Sequence, residues 1–125
     1  MKLFSTLKMS YHIYGLKNCN TTQKAIQWFK QHKLAYKFIN NRTEPISKSK
    51  LELWCNQVSW EKLLNKKGTA FKLLHPAIQQ SATTQEKAIE IMLARPSTIK
   101  RPLIEKDNKI ITLGFSQVFF EIHYL

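Results

Sequence analysis

The sequence predicts a small α/β domain in which a β-α-β unit and a β-β-α unit flank a helical insert. Three observations carry that expectation. Apolar spacing switches from alternating to helical and back over residues 11–39; the stretch between residues 47 and 93 repeats helical spacing; and residues 102–122 read strand, turn, strand, helix.

Each element has its own local cause. Tyr11-His12-Ile13-Tyr14 is aromatic and β-branched and is closed by Gly15, which suits a first strand and its exit turn. From Thr22 to Lys33, the residues Ala25, Ile26, Trp28 and Phe29 fall on one side of a 3.6-residue repeat, with Thr21 or Thr22 as the N-cap, so a helix starts just after Cys19. Residues 35–39 alternate through Tyr36 and Phe38 and stop at Asn40-Asn41. The handedness of such crossovers predicts that these two strands lie parallel.

In the middle, Ser47 and Ser49 precede a helical stretch carrying Leu51, Leu53, Trp54 and Val58, and residues 60–64 read as a second, short helix. Asn65-Lys66-Lys67-Gly68-Thr69 breaks it, and Phe71-Lys72-Leu73-Leu74 is a short apolar piece. Ala88, Ile89, Met92 and Leu93 then mark a helix over residues 84–93, stopped by Arg95-Pro96. Pro102-Leu103-Ile104, the turn Asp107-Asn108 and Ile110-Ile111-Thr112-Leu113 predict a hairpin, after which Ser116 opens an amphipathic helix through Val118, Phe119 and Ile122. The complete order is that of a thioredoxin-like fold with an inserted helical subdomain. Residues 1–10 are expected to be an N-terminal extension and residues 11–125 the domain.

Composition narrows the class. With 43% hydrophobic and 22% charged residues the chain has the usual globular balance, and 125 residues suffice for one real core. No apolar stretch reaches the roughly 18 residues of a membrane span, and Lys8 interrupts the apolar start, so a soluble, cytoplasmic protein is expected. Cys19 and Cys55 are too few for a disulfide framework and lack CxxC spacing, and His12, His32, His75 and His123 share no metal-ligand spacing, so neither a metal nor a bound cofactor is expected. Twenty basic residues stand against eight acidic ones, a net +12 that favours anionic partners; the charges are dispersed, with no run of five basic residues.

One residue stands out chemically. Cys19 lies in Gly15-Leu16-Lys17-Asn18-Cys19-Asn20-Thr21-Thr22, between the first strand and the first helix. A thiol there meets unpaired backbone N–H groups and the positive end of the helix, both of which favour thiolate. Lys17 adds positive charge, and Asn20, Thr21 and Thr22 offer donors. Position alone leaves two readings open, a nucleophile or an ordinary small residue of a βα loop. Cys55, beside Trp54 in the insert, is expected to be a buried structural thiol.

Four segments together resemble one known family. Tyr14-Gly15-Leu16-Lys17-Asn18-Cys19, then Trp60-Glu61-Lys62-Leu63-Leu64-Asn65-Lys66-Lys67-Gly68-Thr69, then Ile99-Lys100-Arg101-Pro102-Leu103-Ile104, and finally Leu113-Gly114-Phe115 look like successive signatures of the arsenate reductase (ArsC)/Spx/YffB family, in family order. The resemblance covers residues 11 to about 123 and is nearest to the YffB-like branch.

That resemblance implies a bacterial thiol reductase of arsenate-reductase-like type. Cys19 would be the nucleophile, Asn18, Lys67 and Arg101 would bind the anionic substrate, and Pro102 would be the proline held cis beside the cysteine. Phe115 stands where arsenate reductases carry a third anion-binding arginine, and Lys67 stands where they carry the first. A lysine cannot present the bidentate fork of a guanidinium, so this chain departs from an oxyanion clamp at two positions. Thr22 stands where Spx regulators carry a second redox cysteine, which leaves resolution to an external thiol. Glutathione is therefore the expected co-substrate, with glutathione or a glutaredoxin as partner and a small anion or a thiol as substrate. The other implied reading is an Spx-like regulator that contacts the RNA polymerase α subunit; a third is a family member without turnover.

Overall fold

In the computed structural model, which describes residues 10–125, strand β1 (Tyr11–Gly15) leads into helix α1 (Asn20–Gln31) and then strand β2 (Tyr36–Asn40). The N-terminal extension expected over residues 1–10 lies outside the described residues except for Ser10. Two compact units emerge, one from residues 10–40 with 101–125 and the other from residues 41–100.

The first unit holds the sheet. Strands β3 (Leu103–Lys106) and β4 (Lys109–Leu113) complete it in the order β2-β1-β3-β4. β1 and β2 are parallel, pairing Ile13 with Phe38, as the crossover predicts, whereas β1–β3 and β3–β4 are antiparallel. Asp107 and Asn108 both take positive φ (51° and 65°), the conformation a two-residue hairpin turn requires and one that Asp and Asn tolerate.

Because side chains alternate along a strand, Tyr11 and Ile13 share one face with Phe38 and Ile104, and α1 closes over it with Ala25, Ile26, Trp28 and Phe29. Helix α7 (Gln117–Tyr124) adds Phe120 and Tyr124 to the same core. The rings meet edge to face, Trp28 with Phe120 at 5.2 Å and Phe29 with Tyr124 at 4.9 Å between centroids. Burying each large ring contributes about 1.5–3 kcal/mol. The Tyr124 hydroxyl is hydrogen-bonded to Thr112 Oγ1, and burial pushes that phenol well above its usual range, so it stays protonated. On the other face of the sheet Tyr14 donates to the buried carboxylate of Glu105 at 3.2 Å.

Two expectations are corrected here. Helix α1 starts directly after Cys19 as expected, but its N-cap is Cys19 itself rather than Thr21 or Thr22, and it is over before Lys33, whose φ of 55° breaks the helical path. In α7, Ser116 caps as expected, accepting from Phe119 N, but Val118, Phe119 and Ile122 face outward at 62%, 60% and 67% exposure. Both sides of this helix are apolar, so periodicity could not choose between them. The larger aromatic pair Phe120 and Tyr124, four residues apart, fills the space against Trp28 and Phe29.

The second unit is helical: α2 (Lys48–Cys55), α3 (Trp60–Leu63), α4 (Thr69–Lys72), α5 (Pro76–Ser81) and α6 (Gln85–Ala94), followed by a 3₁₀ turn at Pro96–Thr98. Ser47, Ser59 and Thr84 cap α2, α3 and α6 through their hydroxyls. Leu51, Trp54, Leu63, Phe71, Ala88 and Met92 are buried, whereas Leu53 and Leu93 are exposed. Leu64 bridges Ile99, and Asn65 N donates to Thr98 O at 2.8 Å, which closes the unit on itself. Helix α5 is absent from the expectations drawn above: His75 caps it by accepting from Ala77 N through Nδ1, and Pro76 occupies its first turn, but it buries no residue and so leaves no apolar stripe to read.

Candidate active site

Gly15 ends β1, residues 16–18 form the exit loop, and Cys19 stands at the threshold of α1. The loop is fastened from both sides. Cys19 N donates to Leu16 O at 3.2 Å, and Gln23, one turn into the helix, donates through Nε2 to Lys17 O at 2.7 Å. Cys19 keeps an extended backbone (φ −107°, ψ 124°) while its carbonyl already accepts from Gln23 N at 2.9 Å. Its sulfur is half-buried at the start of the helix.

Three residues act on that sulfur. Thr21 Oγ1 lies 3.2 Å from Cys19 Sγ. Thr22 contributes through its side chain and its backbone N–H, and its hydroxyl is fully buried. The Arg101 side chain supplies the third contribution. Burial on its own would push the thiol up, but these donors outweigh it and lower the pKa from 9.0 to about 6. At neutral pH the group is therefore a thiolate.

The Thr21 hydroxyl has one proton and two neighbours that want it. It donates to Arg101 O at 3.2 Å while standing 3.2 Å from the sulfur. With Cys19 as a thiol, S–H can donate to Thr21 and Thr21 to the carbonyl. Once the sulfur is charged, that proton turns to the thiolate, the stronger acceptor. The same contact places the backbone before Pro102 beside the nucleophile; the Arg101–Pro102 peptide is cis, and Pro102 O accepts from Gly114 N at 2.8 Å.

Gly15 sets the position of Thr22. A Cβ at Gly15 would lie 2.7 Å from Thr22 Cγ2 and nearer still to Oγ1, closer than side-chain atoms approach. Only glycine lets the strand end pass this near the helix start. Neither this approach nor the Thr21–Arg101 link is signalled in the sequence beyond the presence of Gly15 itself.

Of the expected site residues, the structure brings Cys19, Arg101 and Pro102 into one neighbourhood. Asn18 is exposed in the loop and is not among the groups acting on the sulfur, nor is Asn20. Lys67 lies in the second unit, exposed in the turn where Gly68 N donates to Asn65 O at 3.2 Å. Phe115 packs edge-on against Phe120 with centroids 4.9 Å apart. Cys55, the last residue of α2, behaves oppositely to Cys19: burial and the Glu52 carboxylate push its thiol up. Among the described residues no three of His, Cys, Asp and Glu gather to hold a metal ion, and no helix is long and apolar enough to cross a membrane.

The fold has counterparts in known proteins. The profile of the ArsC family matches residues 14–121, from the end of β1 through most of α7. The chain belongs to the ArsC family. Its fold is accordingly that of the ArsC-like thioredoxin-fold proteins, the four-stranded sheet with helices described above. A solved structure of a YffB protein superposes with a TM-score of 0.85 at 36% identity, covering 93% of this chain and 100% of that one. An arsenate reductase related protein from Brucella melitensis gives a TM-score of 0.74 at 37% identity, covering 93% and 95%. The global transcriptional regulator Spx 2 of Oceanobacillus iheyensis is 28% identical over 111 residues, 87% of this chain and 79% of that protein. This ArsC-family chain therefore has similar proteins with both enzymatic and regulatory descriptions, and its own site must decide between them.

Proposed function

We propose that the protein is a thiol reductase in which Cys19 is the nucleophile and glutathione completes the cycle. The observation that carries this reading is the half-buried sulfur at the start of α1, 3.2 Å from the Thr21 hydroxyl, where hydrogen bonds lower its pKa to about 6. A thiol buried for packing alone shifts the other way.

In the first step the Cys19 thiolate attacks one sulfur of a disulfide. A new bond forms to that sulfur, the old S–S bond breaks, and the departing thiolate keeps the electron pair and takes a proton from solvent. Thr22 occupies the position from which a second cysteine could resolve the adduct, so an external thiolate does so. Glutathione attacks the substrate sulfur and expels Cys19 as a thiolate, stabilised again by the same donors. One disulfide and one glutathione become one thiol and one glutathione mixed disulfide. Arg101 is the cation at the sulfur suited to a carboxylate of glutathione, and the protein works in the cytoplasm, where glutathione is available.

The test is the alkylation rate of Cys19 against pH in a Cys55→Ser background, followed by intact mass after oxidised glutathione. A midpoint near 6 and a single adduct that free glutathione removes are expected. A midpoint near 9 with no adduct overturns the reading. Arsenate is the narrower alternative substrate; with Phe115 in place of a clamp, its turnover is expected to be weak beside that of a disulfide.

A second reading, contact with the RNA polymerase α subunit, is favoured by the relative named as a transcriptional regulator. Capture of purified α subunit by wild-type protein and by Cys19→Ser alike would support it.

A further inference from the structure

An open groove of about 390 Å³ runs along α1 and reaches Asn20, the residue that follows the nucleophile in the chain. Asn20, the residue after Cys19, stands at one end and Gln31 at the other, with Gln27 between them and Gln117 of α7 across the groove. Trp28 and Phe115 contribute the apolar surface. Gln23 also borders it, but its amide nitrogen is already committed to Lys17 O.

We infer that this groove is the subsite for an extended peptide segment flanking the reacting cysteine of a disulfide substrate; the inference rests on the reading of Cys19 as nucleophile given above. Three features select that occupant. The lining carries one cation, Lys24, and no guanidinium, so it has little to offer an oxyanion. Its carboxamides each pair a donor with an acceptor and no charge, which is the complement of a peptide backbone. Asn20 and Gln31 are eleven residues apart on the helix, about 16 Å, which an extended chain covers in about five residues. Glutathione is too short to fill such a track. Phe115, at the position where the resemblance implies a third anion clamp, instead supplies apolar surface for the side chains of that segment. The substrate class is therefore a cysteinyl peptide or protein in disulfide linkage, with the groove taking residues on one side of its cysteine.

The experiment is single-turnover release of pyridine-2-thione from activated disulfides, using full-length Cys55→Ser protein. Cys19 attacks the peptide sulfur, the bond to the pyridylthiol breaks, and the thione leaves with the electron pair. Three probes are compared: N-acetylcysteine methylamide and two capped alanine-serine hexapeptides with cysteine at one end or the other, each as its 2-thiopyridyl disulfide. One hexapeptide is expected to react about tenfold faster than the small probe, and in the Gln27→Ala/Gln31→Ala double variant that ratio should fall to near one. Equal rates for all three probes, or a ratio that survives the double variant, overturns the groove while leaving Cys19 as nucleophile. A Cys19 inert to every probe overturns the nucleophile reading and this inference together.

Discussion

Cys19 and Cys55 are both half-buried, yet their surroundings drive their thiols in opposite directions. Cys19 precedes the first turn of a helix and receives hydrogen bonds; Cys55 occupies the last turn of another and faces a carboxylate. Burial raises both pKa values, so burial does not separate them. What separates them is which end of a helix each occupies and whether donors or acceptors converge there. A cysteine's chemistry is thus read from its neighbours' hydrogens rather than from its exposure.

The largest effect should come from removing either sulfur. Cys19→Ser is expected to lower disulfide turnover at least about a thousandfold, as loss of a nucleophile does, while Cys55→Ser stays within about twofold of wild type. Equal losses in steady-state assays would erase the contrast.

Selectivity of alkylation sharpens it. A thiolate of lower pKa is more abundant but intrinsically less nucleophilic, by about 0.4–0.5 log units per pKa unit. With Cys19 at about 6 and Cys55 above 9.0, Cys19 should react at least about threefold faster at pH 7 and at least about twentyfold faster at pH 5.5. Peptide mapping after limited iodoacetamide treatment measures both ratios, and a ratio that does not grow on acidification would contradict the assignment.

Thr21→Val removes a donor at nearly constant shape. It should raise the Cys19 midpoint by about one unit or more, the worth of a hydrogen bond to a charged group. Stability gives an independent check of sign. The Cys19 pKa is lower in the folded protein than the ordinary thiol value of 9.0, so its thiolate stabilises the fold fully above pH 9 and progressively less as pH falls through about 6. Denaturation midpoints of wild type and Cys19→Ala should therefore diverge as pH rises across that window. The smallest effect belongs to Cys55: Glu52→Gln should lower its titration midpoint by only a few tenths of a unit, since an exposed carboxylate acts through solvent.

The sheet and the place of Cys19 between the first strand and the first helix were legible because their signals are local: alternation at Tyr11 and Tyr36, the change to helical spacing after Cys19, and Asp107-Asn108 between two apolar runs. The outward face of α7 was not. Val118, Phe119 and Ile122 make as good a stripe as Phe120 and Tyr124, and only packing against Trp28 and Phe29 settles which side turns in. Helix α5 escaped because it buries nothing. In the site, Thr21 and Thr22 could be named as donors from their place after Cys19, but Asn20 looked equally suitable. The link from Thr21 to Arg101, eighty residues away, has no local trace.

The close approach of Gly15 to Thr22 ties two positions into a single unit of sequence change. Alanine at position 15 is excluded while threonine occupies position 22, whose methyl and hydroxyl fill the space. Serine at 22 would vacate the methyl volume and keep the hydroxyl on the sulfur, yet the hydroxyl is the atom nearest the missing Cβ. A larger residue at 15 therefore requires the Thr22 side chain to shift or to be replaced, so changes at the strand end and at the helix start should occur together.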